Sequence, residues 1–258
     1  MKMFCRMKSF IPLLMLSAAV ALASQTARGE DGYGDITGTF VLTGTVSEVK
    51  VLVAKGDKAA KDATVCAKDG VLSEDVVVNP ANNGVANVFI YLPKAKKINP
   101  AFKESADKEV VFDQKGCRFI PHALFVRTDQ TVIVKSDDAI AHNTHTYPIR
   151  NQASNSIISP NDREGIKVEF KMPEKLPTQV KCDIHPWMSA YWLILDHPYA
   201  AVSDDQGVFT INGLPAGSHE FIIWQESIGY VERKFKVTVK ANKTTDLGTI
   251  EIPASKIK

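Results

Sequence analysis

The stretch Cys182-Asp183-Ile184-His185-Pro186-Trp187-Met188 decides how this chain is read. It sets a thiol, an imidazole and a thioether within seven residues, at the spacing C-x2-H-x2-M. Forty positions before the thiol stands a second imidazole, in Ala141-His142-Asn143-Thr144-His145. One soft thiolate, two imidazoles and one weak thioether form the donor set of a trigonal copper site with a long axial sulfur.

The flanks agree with that reading. Residues 179–181 and 191–195 are short apolar or β-branched runs that read as strands entering and leaving the loop. Residues 131–135 read as another strand, and 136–141 as the turn that delivers His142. Further strands are expected at 35–43, 46–53, 85–92, 123–127, 166–171, 207–212, 219–225, 231–239 and 248–252. No window holds helical periodicity over three turns. The polar stretch 95–108 is expected as a surface loop with at most one helical turn, and 147–164 as a long polar loop. Many short strands with frequent turns predict an all-β protein built as a sandwich or Greek-key barrel.

Composition narrows the setting. The chain has 258 residues, 45% of them hydrophobic, which is enough for one large domain or two modest ones. A net charge of +2 without a Lys/Arg block gives no sign of nucleic-acid binding. The start reads as a secretory leader, with Lys2, Arg6 and Lys8 before an apolar run and small residues near Ala23. Cleavage after residue 23 removes three of the 31 basic residues and none of the 29 acidic ones, turning the net charge to −1. The apolar run is short for a bilayer span, and no other segment is expected to cross a membrane.

The leader also changes the cysteine count. Cys5 leaves with it, and Cys66, Cys117 and Cys182 remain. An odd thiol in an oxidising compartment needs a use. The economical arrangement is a Cys66–Cys117 disulfide with Cys182 reserved for metal. The rival pairings put Cys182 into a disulfide and abolish the site.

At the two loops the sequence resembles the cupredoxins, the amicyanin-like and plastocyanin-like blue copper proteins. Their three-ligand loop of the form Cys-x-x-His-Pro-Phe-Met reads here Cys182 to Met188, and their His-Asn-Val-His reads here His142-Asn143-Thr144-His145. The resemblance spans roughly 119–195. It implies His142, Cys182 and His185 as equatorial ligands of one type 1 copper ion, and Met188 as the axial one. It implies that Asn143 ties the two ligand loops together. His145 is read as a neighbour of the site, or as a ligand in place of Met188. Trp187 stands where the family has Phe, and Val180-Lys181 precede the Cys where the family favours an aromatic and a His or similar residue. His122, His197 and His219 are read as structural.

The tail has a separate resemblance. Residues 201–217, with the turn at Asp205-Gln206-Gly207 and the run Leu214-Pro215-Ala216-Gly217, resemble the transthyretin-like β-sandwich of carboxypeptidase regulatory-like domains. That family's opening strand is matched far upstream, at Gly34-Asp35-Ile36-Thr37-Gly38-Thr39-Phe40. The expected organisation is therefore a leader at 1–23, a β region at 34–109, a copper domain at 110–196, and a small sandwich at 197–258. The N-terminal β region either supplies the first strands of a split sandwich or forms a separate unit in series.

These resemblances imply a one-electron carrier, exported to a periplasm or secreted. Electrons are expected to pass through an exposed edge of His185, beside Pro186 and Trp187, to a partner such as a c-type cytochrome or a periplasmic dehydrogenase. The alternative is copper delivery, sensing or a structural interaction role without electron transfer. An enzyme is not expected, because no Gly-x-Ser-x-Gly, His-Glu-x-x-His or P-loop motif is present and the six histidines are scattered.

Overall fold

The computed structural model describes residues 32–46 and 48–258, so the expected leader lies outside the described residues. The N-terminal part forms β1 (Tyr33–Thr43), β2 (Val51–Val53), a four-residue helix α1 (Ala63–Cys66), β3 (Val71–Leu72) and β4 (Phe89–Tyr91). The central part forms β5 (Glu109–Gln114), β6 (Phe119–Ile120), β7 (Ala123–Arg127), β8 (Thr131–Val134), β9 (His142–Tyr147), β10 (Asn155–Ile158), β11 (Ile166–Glu169), β12 (Thr178–Lys181) and β13 (Ser189–Leu195). The C-terminal part forms β14 (Ala200–Val202), β15 (Val208–Pro215), β16 (Gly217–Gln225), β17 (Gly229–Val239) and β18 (Thr244–Pro253). The protein is all-β, as the turn-punctuated strand pattern predicts.

Two sandwiches result. The first faces a five-stranded sheet, β10-β9-β12-β13-β7, against a four-stranded one, β11-β8-β5-β6. Its core packs Phe112, Phe119, Trp192, Val180 and Met188 around Cys182. Trp192 meets the Phe112 ring edge-on at 4.7 Å, a favoured aromatic geometry. The second sandwich faces β15-β1-β18 against β14-β4-β16-β17. Ile36, Phe40, Ile90, Phe209 and Phe221 fill it.

The second sandwich draws strands from both ends of the described chain. In β1 the residues alternate inward and outward without a break, with Ile36, Phe40 and Leu42 buried. It pairs antiparallel with β15 and parallel with β18. Likewise β4 lies between β14 and β16. Two glycines permit this join. A Cβ on Gly38 would sit 2.9 Å from the Phe209 ring. Gly207, at φ +79°, lets the Phe40 carbonyl approach to 2.3 Å from where its Cβ would stand.

A third cluster welds the two bodies. Leu193, Leu195 and Ala123 on the outer face of the five-stranded sheet pack on Phe89, Tyr91 and Trp224 of the second sandwich. The opposite end of that outer face, on β9 and β10, is open, with Ile157 69% exposed.

Several strand expectations need correction. The strand expected at 46–53 shrinks to β2, and that at 85–92 to β4. β9, expected as a turn exit, is a strand composed only of polar residues and Tyr147, with His142, Thr144 and Thr146 inward. β10 lies inside the expected polar loop. Only Ile158 of its four residues is buried, so alternation is too short to see. β5 buries Gln114 beside Phe112, which hides its inward face from an apolar pattern. The stretch 95–108 holds one 3-10 turn, Pro100–Phe102.

Candidate metal centre

Three donors meet at one end of the first sandwich. Cys182 follows β12, His185 lies on the return loop, and His142 opens β9, the neighbour of β12. One ligand atom from each lies within 4.8 Å of the others, and all three residues are buried. His142 Nδ1 and His185 Nδ1 are 2.9 Å apart, and Cys182 Sγ is 3.8 Å from His185 Nδ1. Met188 is buried in the same core cluster as Cys182. The loop closes on itself through Met188 N–H to His185 O at 2.9 Å and Cys182 N–H to Met188 O at 3.2 Å.

Asn143 joins the two ligand segments. Its Oδ1 accepts the N–H of Asp183 at 2.7 Å and of Ile184 at 3.2 Å. Its own N–H points at Cys182 Sγ at 3.5 Å, and the His185 N–H at 3.3 Å. Two backbone donors thus face the sulfur.

Each imidazole is held from behind by a carboxylate. His142 Nε2–H donates to Asp138 Oδ2 at 2.9 Å, and His185 Nε2–H to Asp62 Oδ2 at 2.8 Å. Both Nδ1 atoms are therefore turned toward the sulfur, the usual arrangement in which a carboxylate fixes the tautomer of a ligating histidine. Sequence reasoning missed both carboxylates. Asp138 is four residues before His142, a local signal that was available. Asp62 lies 123 residues from His185, and nothing in the sequence couples them.

The electrostatics fit a metal site. Burial pushes the Cys182 thiol up, but the His142 imidazolium and the Asn143 and His185 amides facing the sulfur outweigh it and bring it down to about 6. Burial disfavours the His142 imidazolium, yet Asp138 and the Cys182 sulfur hold it protonated, with a pKa raised to about 9. A His142 protonated on both nitrogens donates Nε2–H to Asp138 and turns its Nδ1–H toward the Cys182 sulfur. Thiolate plus two imidazole nitrogens suits copper by donor softness.

The other singled-out residues divide clearly. His145 is outside the donor group. It sits against Asp183 at 3.1 Å and stacks on Tyr147 with ring centroids 4.2 Å apart. Pro186 is exposed and Trp187 half-buried, its ring centroid 5.2 Å from that of His185. The expected exposed edge of His185 is a correction: the residue is fully buried, because Asp62 and its segment cover Nε2. Cys66 and Cys117 are joined in a disulfide, and Cys182 is the free cysteine among the described residues. Cys117 also lies close to Asp138 and His142, but its sulfur is spent in that bond. His122 is buried in an ion pair with Glu226, His197 is buried, and His219 bonds the Pro215 carbonyl.

No protein-family model matches the sequence, and no curated protein matches it. Among solved structures the chain is similar to a purple cupredoxin from Nitrosopumilus maritimus, at 17% identity over 34% of this chain and 99% of that one, with a TM-score of 0.28. It is similar to reduced amicyanin carrying one substitution, at 19% identity over 41% of this chain and 97% of that one, with a TM-score of 0.30. It is also similar to a copper-containing nitrite reductase from Thermus scotoductus, at 17% identity and a TM-score of 0.30, over 38% of this chain but only 27% of the reductase. No helix among the described residues is long and apolar enough to cross a membrane.

Proposed function

We propose that this chain is an exported type 1 copper protein that carries single electrons between redox proteins, and that it is not an enzyme. The observation that carries the reading is the convergence of His142 Nδ1, His185 Nδ1 and Cys182 Sγ in one buried group, with Met188 packed beside it. Bound copper would supply one-electron Cu(II)/Cu(I) chemistry.

The chain's own residues would do the rest. Cys182 enters as a thiolate, since its neighbours already favour that form. His142 gives up its Nδ1 proton and keeps Nε2–H on Asp138. His185 keeps its orientation through Asp62. Met188, from the far end of the same loop and packed in the same core as Cys182, would supply a thioether as a fourth donor. Because the donors hang from paired strands and a loop closed by backbone bonds, they would move little between oxidation states. Burial keeps bulk water from the sulfur. The partner is proposed as a c-type cytochrome or a periplasmic dehydrogenase, met through the small, weak interface usual for redox encounters. The second sandwich, with its transthyretin-like sequence features, is proposed as a non-catalytic module.

A second reading is copper handling without electron transfer, and the covered His185 edge is the observation that favours it. The two readings separate on one measurement. A carrier loaded with copper shows an intense visible thiolate band and reversible one-electron voltammetry. A delivery protein exchanges Cu(I) freely and lacks that band. Cys182→Ser should abolish the band, and an unchanged spectrum in that variant would refute the ligand set.

A further inference from the structure

We infer that Asp62 is a positioning residue for the metal centre, carried on a disulfide-anchored segment that seals the His185 side of the site. The inference rests on the copper reading for its consequence, but its geometry is independent of it.

Asp62 occupies an unusual place. It stands at the N-cap of α1 with φ +51°, a left-handed conformation that non-glycine residues rarely adopt. An aspartate there would ordinarily bond a free amide of the first helical turn. This one makes no such cap. Its carboxylate instead reaches His185 Nε2 at 2.8 Å, while His185 itself is fully buried. The strained backbone and the forgone cap are explained together if the carboxylate is spent on the imidazole.

The segment is fixed over the site at both levels of structure. β2 and β3 pair, and Val53, Cys66, Ala67 and Val71 join the same core cluster as Cys182 and Met188. Four residues after Asp62, Cys66 is bonded to Cys117. Cys117 lies in the hairpin turn between β5 and β6, where Gly116 and Cys117 have φ +60° and +56°. That pair of positive angles is the type I′ turn, and it aims two successive amides at one carboxylate. Gly116 N–H and Cys117 N–H donate to Asp138 at 2.7 and 2.9 Å. Asp138 in turn holds His142. One disulfide therefore connects the holder of His185 to the holder of His142.

Two consequences follow. Asp62 fixes Nε2–H on His185, which would present Nδ1 to the metal. A protein partner cannot touch the His185 edge, so electrons must pass elsewhere in the site's surroundings.

The test uses the full mature chain with Asp62→Gly, which accepts the left-handed backbone and removes the carboxylate. Asp62→Asn keeps shape and an acceptor but no charge. In metal-free wild-type protein, nitrogen-15 NMR should show a slowly exchanging His185 Nε2–H. Asp62→Gly should lose that proton signal and leave the His142 ring proton in place, and Asp62→Asn should keep both. In copper titrations Asp62→Gly should weaken Cu(II) binding roughly 10–100-fold. If Cu(I) binding is spared, each tenfold raises the one-electron potential by about 59 mV. An Asp62→Gly protein with an unchanged His185 ring proton and unchanged Cu(II) affinity overturns the inference. Wild-type protein that binds no copper but shows the ring-proton result refutes the copper reading alone and leaves the positioning role supported.

Discussion

At the scale of single residues, the site is a set of proton positions as much as a set of donors. Cys182 and His142 are held in opposite charge states near neutral pH, the thiol brought down to about 6 and the imidazole raised to about 9. Metal ligands must be deprotonated, so copper loading at pH 7 should release about one proton, from His142. As pH falls through about 6 the Cys182 thiol takes up its own proton. Calorimetry in buffers of different ionisation enthalpy should then show the released count rising above one, with affinity falling more steeply in acid. A constant count across that range would contradict the thiolate–imidazolium pair. Met188→Leu should keep copper and raise the reduction potential in voltammetry, because the axial sulfur tunes it. The buried group of His142, Cys182 and His185 was legible in the sequence because its members sit in two short motifs. Asp62 was not, since its partner is supplied by tertiary folding alone. The covered edge of His185 was illegible for the same reason.

At the scale of elements, the legible strands are those whose apolar residues alternate. β1 shows every second residue inward and reads directly from Ile36, Phe40 and Leu42. β9 does not, because its inward positions carry His142, Thr144 and Thr146, polar residues that leave no apolar alternation. β10 is an edge strand whose exposed Ile157 and buried Ile158 blur the period. The hairpin of β5 and β6 gains its importance from Cys117, whose left-handed backbone serves Asp138 and whose sulfur serves Cys66. Closing a loop across a sequence separation of 51 residues corresponds to about 4 kcal/mol by chain entropy, and removal of native disulfides costs about 2–5 kcal/mol. Cys117→Gly, which accepts the turn, should lower metal-free stability by about 2–5 kcal/mol in denaturant titration. A loss of only a few tenths would show that the segment is held by packing alone.

At the scale of the whole molecule, the first sandwich sits between two halves of the second. β1 and β4 come before it, and β14 to β18 after it. The sequence hinted at this through an opening strand at Gly34 and a closing motif near Gly207, 173 positions apart. It could not say how the bodies meet, because Phe89, Tyr91, Leu193 and Trp224 look like ordinary core residues until they are seen to form the interface. A fragment of residues 200–258 alone lacks β1, the strand between β15 and β18. It should show no cooperative thermal transition, whereas addition of a 32–92 fragment should restore one. Phe40→Ala in the full chain should cost about 3–5 kcal/mol, read as a lowered denaturant midpoint. A stable, cooperatively folding 200–258 fragment would mean that β1 is an accessory to a self-sufficient unit.

All three scales converge on the buried group of His142, Cys182 and His185, and on what it binds. The most direct measurement is Cu(II) titration of the wild-type chain, followed by visible absorption and EPR spectra, with Cys182→Ser in parallel. The expected result is one copper per chain with an intense thiolate-to-copper band that the substitution removes. Failure of the wild-type protein to bind copper, or the same spectrum from both proteins, would contradict the account.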